Sequence, residues 1–95
     1  MITFDWVGPS PRGHHIYRYN EDTDGLSRSN GVAGVLYDAS KNFYRVHLGY
    51  HFTDLVPGNA YIRKHKYPTL QAAKRAVERK IPPLIAVLKI QGVKI

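Results

Sequence analysis

The order of apolar and polar positions along the chain predicts strands first and a helix later. Ile2-Thr3-Phe4-Asp5-Trp6-Val7 opens with alternation, and His15-Ile16-Tyr17-Arg18-Tyr19 is rich in strand-forming residues. Gly8-Pro9-Ser10-Pro11-Arg12-Gly13 between them punctuates the chain, so residues 1–20 are expected to form a wide hairpin. Three acids in Asn20-Glu21-Asp22-Thr23-Asp24-Gly25 mark a polar turn, and residues 26–31 continue as linker. Residues 32–37 are apolar with small glycine and alanine breaks, and the turn chemistry of Asp38-Ala39-Ser40-Lys41-Asn42 follows. Residues 43–48 alternate cleanly. Phe43, Arg45 and His47 share one face, and Tyr44, Val46 and Leu48 share the other. After a loop over residues 49–59, residues 61–67 alternate again, with Tyr61, Arg63, His65 and Tyr67 opposite Ile62, Lys64 and Lys66.

The period then changes. Pro68-Thr69 precedes a run of good helix formers over residues 70–81, with Thr69 as its N-cap. Leu70, Ala73, Val77 and Ile81, flanked by Ala76, make one apolar stripe at helical spacing. Pro82-Pro83 is expected to end that helix, because proline removes a backbone donor and restrains the residue before it. Residues 84–95 hold seven aliphatic side chains and fit either a short helix or a strand. So apolar a tail is expected to pack on the sheet or on a second subunit, which makes a homodimer one outcome.

Together these elements predict an α+β domain: a three-stranded antiparallel core plus an N-terminal hairpin, packed on one main helix. Ninety-five residues fit a single domain, divided into a hairpin at 1–20, a β-β-β-α core at 32–81 and the tail at 84–95. The 43% apolar content is that of a globular chain, and no apolar run reaches the roughly 20 residues of a membrane span. A start at Met1 with no charged-then-apolar leader is expected of a complete small reading frame. The absence of cysteine excludes disulfide staples and thiolate zinc sites and fits a reducing, cytoplasmic setting.

Charge sharpens this picture. The chain carries fourteen Lys and Arg against seven Asp and Glu, and the excess is local. Residues 63–80 hold Arg63, Lys64, Lys66, Lys74, Arg75, Arg79 and Lys80 against Glu78 alone, a net of +6, leaving +1 for the other 77 residues. A concentrated positive field is what a phosphate backbone docks against.

Three stretches then fall into a family pattern. Gly34-Val35-Leu36-Tyr37-Asp38, Asn42-Phe43-Tyr44-Arg45-Val46 and Tyr67-Pro68-Thr69-Leu70-Gln71-Ala72-Ala73 resemble the three-stranded-sheet-plus-helix DNA-binding domain of plant ethylene-response factors. The arm-binding domains of phage integrases are similar. Double-stranded-RNA-binding domains also run three strands into an Ala- and Lys-rich helix, but they begin with a helix for which this chain shows no signal. The first resemblance implies a sheet lying in the DNA major groove with the helix behind it. It assigns contacts to Arg45 and His47 on one strand and to Arg63 and His65 on the next, with Tyr61 and the turn residue Lys41 beside them. Lys66 would serve phosphates near a strand end, and Lys74, Arg75 and Arg79 would be flanking contacts or an ordinary solvated helix face.

The expectation is therefore a small basic protein that binds double-stranded DNA, with RNA as a variant, such as a phage or mobile-element regulator. The alternative is a protein-binding module or inhibitor that docks on an acidic protein surface, since a basic patch suits both. No membrane partner is expected. Neither catalysis, a cofactor nor a metal is expected. His47 and His51 do not share a helix face, His14 and His15 point to opposite sides when extended, and no serine or glycine motif carries enzyme spacing.

Overall fold

A computed structural model describes residues 2–49 and 66–93. Their order is β1 (Ile2–Val7), β2 (His15–Thr23), β3 (Leu26–Asp38), β4 (Phe43–Leu48) and α1 (Leu70–Ile90). The four strands form one antiparallel sheet in sequence order, and α1 lies across one face of it, which is the expected α+β class. Alternation sets the register. Phe4 and Trp6 stand opposite Tyr19 and Tyr17, Tyr17 opposite Ala33, and Val35 opposite Val46. Each of these pairs puts its apolar side chains on the helix side.

One segment departs from expectation. Residues 26–31, read as a linker, are the first half of β3 and pair with β2 as far as Thr23↔Leu26. The hairpin closes at Asp24-Gly25, whose φ angles of 50° and 78° are those of a tight turn with two left-handed residues. Polar residues hold the ladder where no apolar pattern marks it: Ser29 Oγ donates to Asn20 Oδ1 at 2.7 Å and Ser27 Oγ to Asp22 Oδ1 at 2.6 Å. Farther along, Tyr17 pairs with Ala33 and Arg18 with Gly31, so Val32 is an extra residue bulged out of the β3 register. The bulge lets Val32 and Ala33 both reach the core, at 0% and 2% exposed.

The helix begins as expected. Thr69 is extended at its N-cap, and its hydroxyl accepts the Ala72 N–H at 3.1 Å. It does not end at the prolines. Pro82 and Pro83 lie inside α1, and the stripe of buried residues runs on through Ala73, Val77, Ile81, Ile85 and Leu88. The two prolines remove the helical partners of the Glu78 and Arg79 carbonyls, and both residues are exposed, so water can take those positions. A proline in a helix interior costs about 3 kcal/mol, so the pair costs about 6 kcal/mol. Burying Ile85 and Leu88, each worth about 1.5–3 kcal/mol, together with half-burying Leu84, offsets it. The tail at residues 84–90 is thus neither a separate helix nor a strand. Past the C-cap at Gln91, the Gly92 and Val93 N–H groups return to the carbonyls of Lys89 and Leu88 at 3.0 and 2.9 Å. Among the described residues, no helix is long and apolar enough to cross a membrane.

The core is a single layer between α1 and the sheet. Tyr17, Tyr19, Val32, Ala33, Val35, Val46 and Leu48 meet the helix stripe, with Phe4, Trp6, Tyr44 and Tyr67 packed at its margins. Phe4 stacks on Tyr17 at 5.4 Å between centroids, and Trp6 tilts against Tyr17 at 4.7 Å. Burial pushes the Tyr17 phenol up to about 12. Polar ties close both flanks: Trp6 Nε1 donates to Glu78 Oε1 at 3.1 Å, and Lys89 Nζ donates to both Glu21 oxygens at 3.0 Å. Tyr19 adds a hydroxyl hydrogen bond to Glu21.

Two substitutions test this account by urea denaturation. Ile81→Ala should destabilise the domain by about 2–5 kcal/mol, the range for a fully buried aliphatic side chain. Gly25→Ala should cost on the order of 1 kcal/mol through its left-handed φ alone, with nothing near its Cβ to blame.

Candidate nucleic-acid interface on the helix-free sheet face

With α1 on one side, the opposite side chains of the strands make a second face. It carries Asp5 of β1; Ile16, Arg18 and Asn20 of β2; Ser29, Gly34, Leu36 and Asp38 of β3; and Phe43, Arg45 and His47 of β4. This face divides into two parts.

The part over β1 and the distal half of the β2–β3 hairpin satisfies itself. Arg18 grips Asp5 through two parallel hydrogen bonds, Nε to Oδ1 at 3.0 Å and Nη2 to Oδ2 at 2.7 Å. Asn20 Nδ2 adds a third to Asp5 at 3.1 Å. These hydrogen bonds hold the Asp5 carboxyl well below its usual range, at about 2. Arg18 is therefore occupied. A phosphate at this position would have to displace a bidentate partner.

The part over β3 and β4 differs. Ile16, Leu36 and Phe43 are half-buried, and cations stand around them. Arg45, exposed over 60% of its side chain, stands 3.7 Å from Asp38, a loose ion pair that leaves most of the guanidinium facing solvent. Asp38 is drawn mainly to its own turn. Its carboxylate accepts from the Ser40 hydroxyl at 2.6 Å and the Ser40 N–H at 3.1 Å, and these bonds lower its pKa. The same turn returns the Lys41 and Asn42 N–H groups to the Asp38 carbonyl, at 3.2 and 2.8 Å, and presents Lys41 exposed at the hairpin tip. Lys66 places its ammonium 5.4 Å from the Phe43 ring centroid, a cation–π contact on the same face. Tyr67, the next residue, bridges antiparallel to Tyr44 and so continues the pairing beside β4.

The residues expected to act are thus partly assembled. Lys41, Arg45, His47 and Lys66 share the β3–β4 side of the open face. Tyr61, Arg63 and His65 lie outside the described residues. Lys74, Arg75 and Arg79 do not join the set, because α1 holds them in the opposite layer. Lys74 is turned inward over Trp6, 5.0 Å from its ring, while Arg75 and Arg79 are exposed on the outer side of the helix. Among the described residues of the +6 segment, Lys66 is on the open sheet face, while Lys74, Arg75 and Arg79 belong to the helix layer.

His14 is a residue that sequence reasoning missed. It precedes β2 and meets His47 over Gly34, Nε2 to Nε2, with ring centroids 4.5 Å apart. Spacing along the chain gives no sign of a pair 33 positions apart. The faint signal is glycine 34 inside an otherwise apolar strand, a mark of close approach by a neighbour.

Comparison of the chain with protein-family models, with curated proteins and with solved structures finds no match.

The Asp5–Arg18 pair gives a pH prediction. The folded-state pKa of Asp5 lies below the ordinary aspartate value of 3.8, so the pair's stabilising contribution is present above that value and fades as pH falls through about 2. Carboxyl-detected NMR titration should place the Asp5 pKa at about 2, and Arg18→Ala should return it toward the ordinary carboxylate range.

Proposed function

We propose that this chain is a nucleic-acid-binding module that docks duplex DNA against the helix-free face of its β3–β4 hairpin. The observation that carries the reading is the grouping of Lys41 and Arg45 of that hairpin with Lys66 beside it, around a sheet surface that no helix of the described residues covers. The tip of the hairpin, Leu36–Asp38 with Phe43–Arg45, runs past the last β2 pair at Val35, and a ribbon of that kind is narrow enough for the roughly 12 Å major groove, where an arginine can fork onto guanine or hold a phosphate. The layer order also fits the resemblance to sheet-reading DNA-binding domains: β3, β4 and Tyr67 run side by side, with α1 behind them.

Aromatic placement favours a duplex over a single strand. Phe4, Trp6, Tyr17, Tyr19, Tyr44 and Tyr67 pack on the helix side, with Tyr37 against Tyr44. Among the described residues, Phe43 alone is left on the open face. Proteins that hold single strands stack successive bases on several aromatic rings, and that platform is not built from these residues.

Fluorescence anisotropy with a labelled DNA duplex across a salt series tests the reading. Affinity should fall steeply with added salt, as counterion release requires. Arg45→Glu should weaken binding by about tenfold or more, the size of one lost arginine contact together with its reversed charge. Arg79→Glu on the opposite layer should leave affinity within about twofold, because a rigid duplex on one layer cannot reach the other. No binding at low salt would refute the proposal, and collapse only on reversal of Arg75 and Arg79 would move the site to the helix.

A second reading, a protein-binding module or inhibitor, draws on a different observation. Ile90 is 87% exposed and Val87 51% at the far end of α1, large apolar side chains on a surface rather than in a core. It would be favoured by a stoichiometric acidic protein that survives nuclease treatment and is lost on Ile90→Asp.

A further inference from the structure

We propose that His14 and His47 form a two-imidazole site for a divalent transition-metal ion, with zinc as the reference probe. The two side chains come from different parts of the chain and meet over a third. Ser10 holds His14 from both sides: the His14 N–H donates to Ser10 Oγ at 3.2 Å, and the Ser10 N–H donates to the His14 carbonyl at 3.0 Å. His47 sits in β4 opposite Gly34 of β3. The backbones that carry both ligands are thereby held in place before any ion arrives, which lowers the ordering cost of binding.

Gly34 makes the meeting possible. A Cβ there would lie 2.5 Å from His47 Nε2, 2.6 Å from His47 Cε1 and 2.7 Å from His14 Nε2. The space a side chain would fill is the space where the two rings converge. They approach through Nε2 at an interplanar angle of 44°, in a half-buried setting.

Two neutral imidazoles facing each other through Nε2 have two uses for that geometry. They can share one proton in an N–H···N hydrogen bond, or both can present lone pairs to one cation. Zinc binds imidazole nitrogen at about 2.0–2.1 Å in tetrahedral geometry, so two such ligands stand about 3.3 Å apart. A small outward swing of either ring reaches that spacing, and at position 34 no side chain resists it. Imidazole ligands suit zinc, nickel and copper and do not select magnesium or calcium. Among the described residues, no group of three or more His, Cys, Asp or Glu forms a metal cluster. The described residues thus supply two of the four ligands of a tetrahedral ion, one fewer than the three protein ligands of an open zinc site. Of the nearby charges on this face, Arg18 is neutralised by Asp5, and Arg45 lies beside Asp38.

The site does not depend on nucleic-acid binding, and its test uses the protein alone. Isothermal titration with zinc chloride at pH 7.5, paired with imidazole ¹⁵N NMR, should show one saturable site. Zinc should shift the Nε2 resonances of His14 and His47 while leaving His15 in place. His14→Gln and His47→Gln should each weaken binding at least about tenfold, since loss of an outer-shell partner alone costs 10–100-fold. His15→Gln should change it by less than about twofold. Gly34→Ala is the complementary variant. The atoms its Cβ meets are the ends of side chains, so the fold can keep its circular dichroism spectrum while the rings are pushed apart and zinc binding is lost. Absence of zinc-induced shifts at His14 and His47 in the wild-type protein would overturn the proposal. So would full zinc affinity in the His14→Gln, His47→Gln double variant.

Discussion

The seam between α1 and the sheet is the contact on which the rest of this structure depends. Val77, Ile81 and Ile85 are wholly or almost wholly shielded from water, and they meet a sheet surface built of Tyr17, Tyr19, Val32, Val35 and Val46. A domain this small has one such layer, so each element is stable only insofar as it adds to it. That requirement explains two features that local preference opposes. The helix continues through Pro82-Pro83 because stopping would expose Ile85 and Leu88. The bulge at Val32 persists because it turns an extra branched side chain into the core.

One-sided packing also decides where function can lie. The helix consumes one face of the sheet and, among the described residues, nearly every aromatic side chain with it. On the remaining face, the Asp5–Arg18–Asn20 group is closed on itself by short, charge-assisted hydrogen bonds. The β3–β4 half is different in kind. Its ion pair is loose, its lysines stand at a turn tip and over a ring, and two histidines converge over a glycine. Proposed binding and proposed metal capture therefore fall on the same half, where Arg45 and Lys41 are exposed and two imidazoles converge.

Much of the fold was legible in the residues. The Gly- and Pro-rich break at residues 8–13, the clean alternation at residues 43–48 and the Thr69-capped stripe each state a local geometry that the tertiary structure keeps. Residues 26–31 were not legible as a strand, because Ser, Arg and Asn carry no apolar alternation. What marks them is the Asp24-Gly25 turn signal, which fixes a hairpin whatever the flanking polarity. The site was legible by face but not by membership. Parity placed Arg45 and His47 together, yet it could not bring in His14 or show that Lys74 is bent inward over Trp6.

The sequence by itself determined class, face and charge: an α+β domain, which strand residues point together, and where the positive residues cluster along the chain. These follow from period and composition, which are properties of neighbours. The tertiary structure alone decided that the described residues of the basic cluster are divided between two layers, that the helix outlasts its prolines, and that His14 and His47 share one space. Each depends on which segments lie side by side after long stretches of chain have folded back. Burial of the α1 stripe, rather than any local preference, drives that folding back.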